Sequence, residues 1–358
     1  MRLGWETPHP IPDPLRAICN RATDRQPRQR YQLARSFWRA LDGWRQSAAH
    51  DDGGPLVLLL DRLQRIGHLP TTLTGLHRFT SGSGLEAQHA SALSELVLQD
   101  MALSLELVRR VNNALRQSGH QSGDGGETVL NMQRAIQMLG LDGVQLAANA
   151  LKPWPGPLAP DAAAMLRQAM DRVTRAGQVA QALRPAGYDA EVVQFVAVMQ
   201  NLGRLLLHYH FPDDAQQIHQ LMQPPEPTAE QPHPAALGEQ AAAYAVLGCD
   251  LDALGQAVAR HWGLGDELLK MARRQPPDAP VHPPRSDADS IRLTCSLAND
   301  LVDALGQPEP QRRAGLEAAM RRYARALGLG PREVLEALEP GRQAAGAEPP
   351  QADADAAA

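Results

Sequence analysis

A chain of 358 residues, 43% hydrophobic and 21% charged, can bury the core of one large domain or two ordinary ones, which excludes wholesale disorder. The formal net charge of −5 argues against a general nucleic-acid binder, and no apolar run approaches the roughly 20 residues of a membrane span. Cys19, Cys249 and Cys295 lie too far apart for a disulfide framework or a zinc knuckle, and the leader 1–12 has no apolar centre to act as a secretion signal. A cytoplasmic protein is expected.

Aromatics make up only 4%, so the core must be Leu, Val, Ala and Met. The spacing of Leu33, Phe37, Trp38, Leu41 and Trp44 predicts a first amphipathic helix, with Phe37, Trp38, Leu41 and Trp44 on one buried stripe and Arg35, Arg39 and Arg45 outside it. The run Leu56–Leu60 continues through Leu63 and Ile66, which favours helix over strand. Leu93, Leu96 and Val97 mark a helix that stops before Asp100. The Asp100 carboxylate is placed to cap the next one, Met101–Ala114, by accepting the free amides of its first turn. Met132, Ala135, Ile136 and Leu139 face one way, and Gly140 is expected to end that short helix. Further helices are expected over 161–184, 190–210, 235–247, 250–261, 286–305, 309–328 and 331–338. Residues 115–128 are rich in Gly and Ser, and 223–234 contain five prolines, so both read as loops. The stretch 340–358 has nothing to bury and is expected to be disordered. No alternation of period two occurs, so the class is all-α.

Five strings from 69 to 275 occur in a telling order: Leu69-Pro70 opening a helix, LQDMALSLELVRRVNNA (98–114), VLNMQRAIQMLGL (129–141), VVQFVAVMQNLGRLLL (192–207) and LGCDLDALGQAVARHWGL (247–264). Together they resemble the HDOD family, the HD-related output domain of bacterial signalling proteins. The resemblance implies a multi-helix HD-like bundle over 56–275. Helices at 286–339 would extend it, and SLANDLVDALG (296–306) is similar to the helix that often follows the family domain.

The departures from the family pattern bear on chemistry. In the wider HD superfamily a His-Asp pair and further His and Asp residues hold a metal, which polarises a phosphoryl oxygen and acidifies a water. Here Gln200 and Asn201 stand at the His-Asp positions, Leu251 stands at the later His, and Arg273, Arg274 and Gln275 stand where Tyr-His-His often follows. Amides and an aliphatic chain do not replace imidazole or carboxylate ligands. No metal site, catalytic residue or cofactor is therefore expected. Arg204 reads most simply as a solvated or capping residue, the alternative being a charge that lines a vestigial pocket. Asn112 and Asn113 are poor helix formers inside a helix, so hydrogen bonds to a neighbouring loop are expected, with a ligand or partner contact as the alternative. His208 and His210 read as a polar helix end, and His261 beside Trp262 as a packing residue. Gly140, Gly203 and Gly255 suit chain turns or close helix approach.

Residues 13–44 resemble the last helix pair of a bacterial Ser/Thr protein kinase domain through Leu15, Ile18, Arg21-Ala22, Pro27, Arg30-Tyr31, Ala34, Ala40-Leu41 and Trp44. The resemblance implies a relic at 13–47 in which Arg30 would pair with a buried Glu of an Ala-Pro-Glu motif that this chain lacks. No Gly-rich phosphate loop, His-Arg-Asp or Asp-Phe-Gly occurs, so a kinase reaction is excluded. The segment holds eight arginines against Asp24 and Asp42 between Arg16 and Arg45, which suits a solvated face or, alternatively, an acidic partner or membrane surface.

The expectation is a non-catalytic regulatory protein of bacterial signal transduction acting through protein contacts. By resemblance its partners would be signalling proteins, of cyclic-di-GMP or two-component pathways. The alternatives are a small-ligand or nucleotide sensor that uses the vacated metal pocket, and a metal-dependent phosphohydrolase with an unconventional site.

Overall fold

The computed structural model describes residues 13–24, 27, 30, 31, 33–49, 59, 69–72, 87–117, 128–223, 237–277 and 279–339. Among them no β-strand occurs, only one isolated bridge between Thr71 and Pro153. The helices are α1 (Asp13–Ala22), α2 (Ala34–Ala49), α3 (Ala87–Leu98), α4 (Met101–Gln117), α5 (Met132–Ala150), α6 (Pro160–Leu183), α7 (Ala190–Met199), α8 (Leu202–His210), α9 (Pro212–Met222), α10 (Glu239–Leu247), α11 (Leu251–His261), α12 (Asp266–Met271), α13 (Asp287–Leu305), α14 (Gln311–Leu327) and α15 (Pro331–Leu338). The expected all-α architecture is the one found. The stretches 1–12 and 340–358, most of the run at 56–66, the helix expected after Pro70 and most of the two expected loops lie outside the described residues.

Local signals explain many of the boundaries. Asp100 caps α4 by accepting the Leu103 amide at 2.8 Å. Its second oxygen accepts the Thr72 amide at 2.5 Å and the Thr71 hydroxyl at 2.9 Å, so one buried carboxylate ties the 69–72 segment to the bundle. Asp189 caps α7, Asp250 caps α11 and Ser286 caps α13. At Gly140 the backbone takes φ 66 and ψ 176, as a glycine permits, which ends the helix from Met132 as expected; a second helical stretch follows directly, and the two together make the kinked α5.

Other expectations are corrected. The single helix 190–210 is two helices, α7 and α8, broken at Gln200–Asn201, where Asn201 has φ −112 and ψ 6. Both halves are buried nearly all round, so apolar periodicity runs through the break without registering it. Helix α9 was not anticipated, although Pro212 at its first turn, followed by Asp213 and Asp214, is a good helix start. Helix α12 is too short to show a period. The stripe on α2 is narrower than expected. Phe37, Leu41 and Trp44 pack inward, but Trp38 is 61% exposed because it lies round the helix from them. His210 is buried, so α8 does not end in a polar tip.

The main core gathers around α6, α7 and α13, which pack on one another, with α14 on α13 and α15 on α6. Helices α3, α4 and α5 pack together beside it. Helix α10 lies between two partners. Ala242, Ala243 and Leu247 join the main core, while Ala241 and Ala245 join a second cluster with Ile18 and Ala40 of the N-terminal pair. The pair is also pinned by polar contacts, since Arg21 (at 3.2 Å) and the Tyr31 hydroxyl both donate to the Ala245 carbonyl. The Arg21 guanidinium stacks 4.4 Å from the Tyr31 ring.

Candidate functional site

The break between α7 and α8 puts Gln200 and Asn201 at the centre of the bundle, where both are buried. A buried amide must satisfy its donors and acceptor, and these do so entirely with protein groups. Gln200 Nε2 donates to the carbonyls of Met271 and Arg292, each at 3.1 Å. Its Oε1 accepts from Asn299 Nδ2 at 3.2 Å and from the Ser296 hydroxyl at 3.3 Å. Asn201 Nδ2 donates to Asn299 Oδ1 at 2.7 Å and to the Ala197 carbonyl at 3.0 Å, and its Oδ1 accepts from Arg204 Nη1 at 3.2 Å. Asn299 and Ser296 belong to α13, outside the stretch that carried the family resemblance.

Leu251 is buried at the start of α11, where α8 and α11 cross almost backbone to backbone. A Cβ added at Gly203 would stand 1.8 Å from the Leu251 carbonyl oxygen, and one at Gly255 would stand 2.8 Å from the Gly203 nitrogen. Two glycines are therefore required for the contact. A cleft lined by Met199, Gln200, Gly203, Asp252, Gly255 and Gln256 retains a volume of about 10 Å³, room for roughly one water.

Ion pairs surround the amide centre. Arg204 is largely buried and forks onto Glu239 of α10, with Nε 2.7 and 2.9 Å from its two carboxylate oxygens. Arg204 is thus engaged by Glu239 and Asn201 rather than solvated. Burial would favour the neutral Glu239 carboxyl, yet the Arg204 charge and hydrogen bonds hold it below the usual carboxylate range. Arg274 reaches α13, with Nη2 2.6 Å from both Asp300 Oδ1 and Asp303 Oδ2. Arg172 of α6 lies 3.4 Å from Asp303, and Arg322 of α14 lies 3.2 Å from Asp300. Burial raises the Asp252 carboxyl pKa.

These donors do not fit the metal that the wider HD superfamily holds. Each amide oxygen at 200 and 201 already accepts from the protein, Leu251 offers no donor, and Arg274 and Gln275 occupy the region with a cation and another engaged amide. The described residues contain no cluster of three or more His, Cys, Asp or Glu with metal-binding potential. Asn112 has the expected loop role. Its Nδ2 donates to the Val108 and Val129 carbonyls (2.8 and 2.9 Å) and its Oδ1 accepts the Val129 amide at 2.9 Å, clamping the start of the 129–131 segment to α4. Asn113 is half-buried beside it on the same helix. Sequence reasoning found Gln200, Asn201, Arg204 and Leu251 but missed Ser296, Asn299, Asp300, Asp303 and Glu239. The available signal for the four on α13 was the recurrence of polar residues at 296, 299, 300 and 303, three and four apart along one helix, while Glu239 carried none.

His208, near the end of α8, is held well below the ordinary imidazole range, at about 4, by burial and by the nearby Arg172 charge.

Comparison with known proteins places this architecture. A search of curated proteins finds no match. Among solved structures, a virulence factor (cj0248) from Campylobacter jejuni subsp. jejuni is 13% identical, with a TM-score of 0.56 over 80% of this chain and 96% of that one. The MmoQ response regulator of Methylococcus capsulatus str. Bath is 18% identical, with a TM-score of 0.51 over 76% of this chain and 98% of that one. At such identities the likeness is one of fold. Nothing in these comparisons supports the kinase resemblance of 13–44, and Arg30 donates to the Asp24 carbonyl at 2.6 Å. The model of the HDOD domain matches residues 68–276, more than half of the chain, so this protein belongs to the HDOD family.

Proposed function

We propose that the chain is a non-catalytic regulatory protein of bacterial signal transduction that works through protein contacts of its HDOD domain. The observation that carries this reading is the engaged amide centre. Gln200 and Asn201 spend their hydrogen-bonding capacity on Asn299, Ser296, Arg204 and main-chain carbonyls, so they serve the bundle's cohesion and leave no ligand set for phosphoryl chemistry. The fold likeness to a response regulator agrees with a place in signalling. Its partners would be signalling proteins, with two-component or cyclic-di-GMP pathways as the setting.

Gently purified protein, analysed for metal and then assayed with manganese, iron or zinc on an activated phosphodiester, should show neither stoichiometric metal nor turnover. Near-stoichiometric metal together with hydrolysis that Asn201→Ala abolishes would overturn the reading in favour of an unconventional phosphohydrolase. The sensor alternative needs room that the cleft beside Gln200 does not offer, at about 10 Å³.

A further inference from the structure

The outer face of α2 has no part in the amide centre or in the contact with α10. Between Arg16 and Arg45 the sequence holds eight arginines against Asp24 and Asp42, on a chain whose net charge is −5. The fold sorts this segment into two sides. Arg21 turns inward onto Tyr31 and the Ala245 carbonyl, and Phe37, Ala40, Leu41 and Trp44 pack toward α10. Arg35, Trp38, Asp42 and Arg45 lie on the other side, within a sector of about 80° at 100° per residue, with the Asp42 side chain only 11% exposed beneath Arg45. Trp38 is 61% exposed, the Arg45 side chain is 73% exposed as it pairs with Asp42, and Arg35 is exposed. Because the opposite face is fastened to the body, this one is presented outward in a fixed orientation.

We propose that this face of α2 docks peripherally on the anionic headgroups of a lipid membrane. An exposed tryptophan between arginines has the composition of an interfacial helix. The amphipathic ring settles at headgroup level, and guanidiniums pair with phosphates, each basic residue strengthening attachment to an anionic surface. A protein partner fits less well. A stable interface needs roughly 800 Å² per side with a contiguous apolar centre, and one ring between cations does not supply it. The attachment is superficial, since no helix among the described residues is long and apolar enough to cross a membrane.

The test uses the full chain in sedimentation with vesicles of phosphatidylcholine alone and of phosphatidylcholine mixed with phosphatidylglycerol. Binding is expected to the mixed vesicles only, to weaken with salt, and to fall about fivefold in Arg35→Ala. Trp38→Ala should weaken binding several-fold with an unchanged melting midpoint. Arg332→Ala, at an exposed arginine on α15, should bind as the parent does. Equal binding to both vesicles, no binding, or undiminished binding by Trp38→Ala would overturn the proposal. So would a Trp38-dependent complex with an acidic protein in the absence of vesicle binding.

Discussion

Helix α13 and the N-terminal pair flank the same domain, but they are attached by different physics. Helix α13 is buried along most of its length. It packs on α6, α7 and α14, and supplies Ser296 and Asn299 to the amide centre and Asp300 and Asp303 to Arg274. The N-terminal pair touches the body through one face, with Ile18 and Ala40 its fully buried apolar residues among those described, and two hydrogen bonds converging on the Ala245 carbonyl. The first is part of the core although it lies beyond the residues that define the family match. The second is a cap. Position relative to a family boundary is thus a poor guide to structural necessity, because necessity follows from buried area and satisfied polar groups.

Truncation draws this contrast most sharply. Removing 286–358 strips Cys295, Leu297, Leu301 and the partners of Gln200 from the core, and should abolish cooperative unfolding altogether. Removing 1–49 should leave a folded protein with a lowered midpoint, since it uncovers little beyond Ala241, Ala245 and their neighbours. Circular dichroism melts of the two truncations decide it, and a folded 1–285 fragment would erase the distinction. Leu297→Ala is the single-residue version, with an expected loss of about 2–5 kcal/mol.

Asn299→Ala comes next. It takes one partner each from Gln200 Oε1 and Asn201 Nδ2 in a buried setting, and should cost about 1–3 kcal/mol by denaturant titration. A change within error would mean that Ser296 and main-chain carbonyls suffice, and that the amide centre is looser than its geometry suggests.

A smaller effect concerns pH. His208 in the folded protein accepts a proton only near pH 4, whereas an unfolded chain accepts it near the ordinary histidine value of about 6.5. Between these values the unfolded state binds more protons. The His208 contribution is therefore fully present above about pH 6.5 and is lost as pH falls toward 4. Paired titrations of the parent and His208→Gln should show a shallower fall in stability for the variant across that window. Parallel curves would place His208 in a more hydrated setting.

The smallest expected change is Trp38→Ala, within about 0.5 kcal/mol of the parent because its ring is mostly in solvent. A loss of several kcal/mol would mean that the face presented outward is in fact covered.

What the sequence determined by itself was local. Helical periodicity, the Asp100 cap, the Asn112 clamp and the presence of amides at 200 and 201, where the family resemblance leads one to expect His and Asp, could all be read from residues close together in the chain. So could the glycines needed at the crossing of α8 and α11, at least as candidates. Only the tertiary structure decided what these amides do, because their partners Ser296 and Asn299 lie nearly a hundred residues away, on a helix beyond the stretch that carries the family resemblance. Only the fold, too, split 190–210 into α7 and α8 and turned Trp38 outward. Continuous burial hides a break from any periodic signal, and whether a residue at the edge of an apolar stripe is covered depends on how wide a face the neighbouring helix presents. Against Ala241 and Ala245 of α10 the structure seats Phe37, Leu41 and Trp44, while Trp38 lies round the helix from them and stays in solvent.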